Sequence, residues 1–348
     1  MTFAFLPFLF YCILSAFFTH QRPFYEDAYP LFRSFLLLAQ TLFMLGAAYC
    51  YTGEKERLIK LYLGGYFLSL LVGYLFFLGY YTQFLSIELI QRFSIETQTE
   101  WGLLRFSPGT YPNEYGNISS FALSTLLIFF ARKRRFLTLM LIIFTFVAFL
   151  LTTTRAAYLS FLVCLMYLSF QSREIRKLMT FFSLIGLLIL LLLKLYSIDF
   201  LQIFIGGIKA INFYEGSVGM RVAAWVKGFL DLNEHLILGN GFGSDIYAHN
   251  IYLELLFELG LIGVMVLVVT FIYSLSSYSF SLKFFWKERK SLMGMITVVG
   301  LIHVFMFALT NHNLHHHLTF FSFLLFNLYL FGYRRDEAKV SYLRRTEA

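Results

Sequence analysis

Residues 249–263 read His249-Asn250-Ile251-Tyr252-Leu253-Glu254-Leu255-Leu256-Phe257-Glu258-Leu259-Gly260-Leu261-Ile262-Gly263, and the apolar run they open continues to about Phe280. That run exceeds the roughly 20 residues a helix needs to cross a hydrocarbon core. It is therefore tilted or projects from the membrane. Yet it opens on a histidine and an asparagine and carries two glutamates at helical spacing. Polar groups are costly at membrane depth, so they face protein or water rather than lipid. A helix running on from His249, at about 100° per residue, brings Gly260 and Gly263 within about 40° of the histidine. Asn250, Glu254 and Glu258 fall on the adjacent face. Small residues permit close helix contact. The stretch is expected to be one helix buried in a bundle.

Composition extends this reading to the whole chain. Of 348 residues, 59% are hydrophobic and only 14% charged, against about 25% charged in soluble domains. There is too little polar surface for a globular protein in water. The net charge of +8 does not point to nucleic acid, because the basic residues sit in short loops between apolar runs. The segment Thr2 to Thr19 lacks a basic leader and a small-residue cleavage site, and is read as the first membrane helix. Cys12, Cys50 and Cys164 all lie in apolar runs with no metal-binding spacing, as small apolar fillers do.

Ten spans are expected, at roughly 2–19, 34–52, 59–80, 116–131, 136–153, 156–171, 178–196, 250–280, 292–310 and 318–333. Charge supports the count. Basic clusters follow every second span: Lys55, Arg57 and Lys60; Arg132 to Arg135; Arg173, Arg176 and Lys177; Lys283 to Lys290; and Arg334 to Arg345. With ten spans all of them lie on one side, which the positive-inside rule makes the cytoplasm, with both termini there. Two long external segments remain, 81–115 and 197–249, and the second is expected to be partly helical. No internal repeat and no soluble domain is evident, so residues 1–348 read as a single membrane domain. Long ordered loops carry function, and the polar start of the 250–280 span points into an external cavity beside them. A helix N-terminus favours anions.

Several external residues suit anion chemistry. Arg155 follows Thr152-Thr153-Thr154 on the outer side. It reads either as a helix-end arginine snorkelling to the interface or as an anion contact, with three hydroxyl donors beside it. Arg221 and Trp225 share one helix face. They read either as parts of an interfacial helix, with Trp225 in the aromatic belt, or as a diphosphate site matched to the guanidinium fork. Gly239-Asn240-Gly241-Phe242-Gly243 is not a nucleotide loop, since no βαβ unit surrounds it. It is expected to make a tight re-entrant turn. His249 reads as a helix cap or as a base. The loop Asn311 to His317 holds half of the eight histidines, but no carboxylate or cysteine pattern completes a metal site.

Taken together, these motifs resemble bacterial O-antigen ligases. His249-Asn250 followed by Gly260 and Gly263 is similar to the family signature. Arg221, Trp225, Gly239 and Gly241 resemble its R-x-x-x-W and G-x-G elements. Thr154-Arg155-Ala156 resembles its Ser/Thr-Arg element, and Pro112-Asn113 its Pro-Asn step before a membrane span. The resemblance implies an all-α, polytopic, GT-C-like glycosyltransferase of the bacterial inner membrane, acting on the periplasmic face. The implied donor is a glycan on undecaprenyl diphosphate, and the implied acceptor is lipid A–core. The implied reaction is inverting, with no metal and no cofactor. Arg155 and Arg221 are then expected on the diphosphate and His249 as general base, with Asn250 or Glu254 orienting it. Asn250, Glu254, Trp225 and Asn113 are expected to contact substrate.

The chain departs from its relatives in having ten expected spans, where about twelve are common, and in a short external loop. A polysaccharide polymerase of the same superfamily is the alternative activity. A transporter of lipid-linked sugars fits less well, for want of matching broken helices in two halves.

Overall fold

The computed structural model describes residues 6–17, 30–86, 88–89, 105–177, 179–180, 216–244, 248–277, 286–287, 289–311 and 316–328. Helices are the only regular elements among them. In chain order they are α1 (Leu6–Phe17), α2 (Pro30–Cys50), α3 (Lys55–Tyr81), α4 (Pro112–Arg132), α5 (Phe136–Leu151), α6 (Arg155–Gln171), α7 (Gly216–Glu234), α8 (Ile251–Ser277), α9 (Leu292–Ala308) and α10 (His317–Leu328).

Every expected span except 178–196 falls on one of these helices, and that exception lies almost wholly outside the described residues. Three helices, α2, α3 and α8 over Ile251–Tyr273, are long and apolar enough to cross a membrane; α1, α5, α6, α9 and α10 are shorter apolar helices. The expected partly helical segment 197–249 contains α7.

The chain divides into two compact units. One comprises Met1–Leu42, Arg173–Ser277 and Ala308–Leu314; the other comprises Phe43–Ser172, Tyr278–Phe307 and His315–Ala348.

In the first unit α1 and α7 both pack on α8. A side chain at Gly228 of α7 would overlap the Phe257 ring of α8, so the glycine sets how closely the two helices approach. Leu232, Ala248 and Phe257 form the buried cluster between them, with Trp225, Leu253 and Leu256 against it.

In the second unit α4 is central, flanked by α5, α6 and α3. Pro112 occupies its first turn, where a missing N–H costs nothing. Leu123, Leu126, Leu127, Ile142, Phe149 and Ala157 make the apolar core. Polar residues of α4 are buried too: Asn117, Ser119, Ser120, Ser124 and Thr125. Two of them have side-chain partners on other helices. Tyr66 Oη donates to Ser119 Oγ at 3.2 Å, and Ser120 Oγ lies 2.6 Å from His303 Nε2. Outward faces are apolar. On α3 the exposed Leu61, Leu68, Leu71, Leu75 and Leu78 lie opposite the buried Ile59, Leu63, Tyr66 and Leu70. Such a surface suits acyl chains, which are as apolar as leucine itself.

Candidate active site

Helix α7 carries the first part of the site. Arg221, Trp225, Gly228 and Leu232 recur at helical spacing and share its inner face, while Met220, Val226 and Leu230 are exposed. Trp225 packs against the α7–α8 cluster. Its indole Nε1–H donates to the Ala248 carbonyl at 2.6 Å, fixing the peptide that leads into His249. Arg221 lies one turn before it, half-buried. Burial draws the Arg221 pKa below its ordinary value because desolvation disfavours the charged form. Among the described residues its guanidinium has no hydrogen-bond or ion-pair partner.

The chain then turns at His249, which has a left-handed backbone (φ 50°), an uncommon conformation for a side-chain-bearing residue. Helix α8 begins two residues later, at Ile251. Asn250 makes that start. Its Oδ1 accepts from the N–H groups of Tyr252 and Leu253 at 3.0 and 3.2 Å, the geometry of an N-cap. Its Nδ2 donates to the Leu309 carbonyl at 3.1 Å. These bonds commit the Asn250 side chain to holding the helix start. Glu254 and Glu258 follow on α8, 6% and 5% exposed.

The expected continuous helix from His249 is corrected at both ends. His249 precedes the helix, and Gly260 breaks it with φ 61° and ψ −167°. A reading of helix faces through Gly260 and Gly263 therefore does not hold. The break frees carbonyls of residues 257 to 259 and N–H groups beyond Gly260, which cannot be left unpaired in an apolar setting. The segment from Leu236 to Gly241 supplies most of the replacement bonds. Asn240 N–H donates to Phe257 O at 3.0 Å and Gly241 N–H to Glu258 O at 2.8 Å. Leu261 N–H and Ile262 N–H donate to Leu236 O and Ile237 O at 3.0 and 3.1 Å. From α1, Tyr11 Oη donates to Leu259 O at 3.2 Å. Gly239 and Gly260 lie backbone against backbone, and a Cβ on either would overlap the other's main chain. The close approach that the glycines permit is thus to the chain's own helix.

The remaining expected residues, Arg155 and Asn113, belong to the second unit, and Arg105 ties their segments together. Its Nε donates to Thr152 O at 3.0 Å. Its Nη2 donates to Asn113 Oδ1 and Thr154 Oγ1, each at 3.2 Å. Thr154 Oγ1 in turn donates to Pro112 O at 3.0 Å, and Phe106 N–H donates to Leu151 O at 3.0 Å. The Pro112-Asn113 step and the Thr152–Arg155 turn are therefore one structure. The expectation of three threonine hydroxyls facing a ligand is corrected. Thr152 and Thr154 are buried and bonded to main-chain carbonyls, leaving Thr153 exposed at φ 50°. Arg155 opens α6 with an exposed side chain.

Arg105 did not stand out from the sequence. The only local signal is a charged residue isolated in Trp101-Gly102-Leu103-Leu104-Arg105-Phe106, and its partners lie up to 49 residues away. Of the external histidine loop, His312 and His315 lie outside the described residues, and His316 is buried against Phe307 and His317.

Comparison with known protein families bears on both units. Residues 139–268 match the family model described as O-antigen ligase. The family resemblance read from separate motifs is thereby shown, over a span that holds Arg155, Arg221, Trp225, the Gly239 loop, His249, Asn250, Gly260 and Gly263. Arg105 and Asn113 lie outside it. A comparison with curated proteins gives no match. The match, over 139–268, is to the family described as O-antigen ligase, and it spans less than half of the chain.

Proposed function

We propose that the protein is an O-antigen ligase, transferring a glycan from undecaprenyl diphosphate to a hydroxyl of lipid A–core at the periplasmic face of the inner membrane. The observation that carries this reading is the anchoring of His249. Trp225 holds the preceding carbonyl, Asn250 caps the following helix, and Arg221 shares the inner face of α7 with Trp225.

In the proposed step, the acceptor oxygen attacks the anomeric carbon and its proton passes to the His249 imidazole. Histidine is suited to this because its ordinary pKa lies near working pH. The bond from the anomeric carbon to the phosphate oxygen breaks, and undecaprenyl diphosphate leaves with the electron pair. Negative charge grows on the leaving group, and Arg221 stabilises it as a guanidinium held half out of water. Arg155 is assigned to an anionic group and Asn113 to a polar contact on the strength of the family resemblance alone. Glu254 is assigned to orienting His249. Asn250 acts through the helix start. Trp225 contributes position, by its bond to Ala248, rather than a sugar contact. Attack opposite the leaving group inverts the anomeric centre, and no metal takes part.

Deletion of the gene followed by electrophoresis of lipopolysaccharide tests the assignment. Loss of a ligase leaves full-length glycan on undecaprenyl diphosphate and bare lipid A–core. Core bearing a single repeat unit would instead identify a polymerase, and glycan trapped in the cytoplasmic leaflet would identify a transporter. Replacing Arg221 by Ala should reduce transfer by about a thousandfold or more if it carries the leaving-group charge. Transfer at the wild-type rate would remove it from that role.

A further inference from the structure

We propose that Arg105 is a positioning residue that sets Arg155 and Asn113 for a diphosphate. This inference rests on the assignment of Arg155 to an anionic group. Arg155 is the first residue of α6, and its direction is set by the turn that delivers it. That turn contains Thr153 in the left-handed region, a conformation that a threonine keeps only when its surroundings hold it.

Arg105 supplies much of the hold. One guanidinium bridges the Thr152 carbonyl, the Thr154 hydroxyl and the Asn113 carboxamide oxygen. The planar fork is what allows three acceptors in fixed directions to share one side chain, and a lysine cannot reproduce it. Because Asn113 Oδ1 accepts from Arg105, the amide is oriented, and its two Nδ2 hydrogens are directed away from the guanidinium. Gly116 lets the turn seat against α4: a Cβ there would press on Thr154 and on the Thr152 hydroxyl. Arg105 therefore acts through Arg155 and Asn113, with its Nε and Nη2 hydrogens bonded to the protein.

The test uses the full chain in nanodiscs, with farnesyl diphosphate as the probe. Binding reports the diphosphate contact, and glycan transfer is measured separately. Arg105→Ala should weaken probe binding about tenfold, the scale of losing charge-assisted hydrogen bonds. Arg105→Lys should recover only part of that loss. Thr154→Val, which keeps the shape of the side chain and removes the hydroxyl, should weaken binding in the same direction if Arg105→Ala fails to fold. The decisive comparison is the double variant: in an Arg155→Ala background, Arg105→Ala should weaken binding far less than it does in the wild type. An equal further loss would overturn the proposal, because Arg105 would then act independently of Arg155. Wild-type binding in Arg105→Ala, or in Arg155→Ala, would also overturn it. Failure of the transfer reading is distinguishable, since it would appear as normal transfer in His249→Ala whatever the probe measurements give.

Discussion

The α7–α8 region and the turn before α6 both present an arginine expected to meet phosphate, and they are built by opposite means. Around Gly239 and Gly260 the structure is held mainly by main-chain bonds across a broken helix. Around Arg155 it is held mainly by side chains, with Arg105 and Thr154 as the ties. In the first region Arg221 carries no structural bond among the described residues, so its replacement probes chemistry with little effect on the fold. In the second, chemistry and architecture run through adjacent side chains, so single replacements mix the two and need paired variants to separate them.

This contrast predicts where substitutions hurt most. Replacing Gly239 or Gly260 by Ala forces a side chain into a left-handed backbone and onto a facing main chain. The two effects together should cost at least about 3 kcal/mol. Such variants should be lost from the folded, monodisperse fraction after extraction; normal yield and melting temperature would show that the backbone pairing is not what holds the break.

Trp225→Phe keeps the ring against the α7–α8 cluster and removes one hydrogen bond, a loss of about 1 kcal/mol. It should lower kcat several-fold with KM for the donor little changed. A raised KM with unchanged kcat would mark Trp225 as a substrate contact instead.

Asn250 separates its two bonds cleanly. Asn250→Ala loses both the cap and the tie to Leu309 and should destabilise by about 1 kcal/mol or somewhat more. Asn250→Asp keeps the capping oxygen and should cost less, since only the donor to Leu309 is lost. Thermal unfolding in detergent ranks the two, and a larger loss for Asp would contradict the cap. The smallest effect is expected at Thr153. Glycine there relieves a left-handed threonine and should raise stability by about 1 kcal/mol, with a small rise in melting temperature.

Much of the helix layout was legible in the sequence, because the bilayer imposes a length on apolar segments and basic loops punctuate them. The residues of the site were legible as types: arginines, a histidine and close-packing glycines that ordinary helix packing does not call for. Their relations were not. Gly239 and Gly260 each announce an unusual backbone, but nothing periodic says that they face each other. The bond from Trp225 to the Ala248 carbonyl was not legible, because a main-chain acceptor has no side-chain signature. Arg105 was hidden for the same reason, with a main-chain carbonyl and two short polar side chains far along the chain as partners. His249 was read as a helix cap or as a base, whereas the capping bonds are made by Asn250.

The central claim is that His249 is the base that deprotonates the acceptor. The most direct measurement replaces it by Ala in the full-length protein, in cells that otherwise lack the gene, and follows both lipopolysaccharide and the membrane level of the protein. The account predicts protein at the wild-type level, lipid A–core without long glycan, and glycan accumulating on undecaprenyl diphosphate. A normal ladder of glycan-bearing lipopolysaccharide from His249→Ala would contradict it.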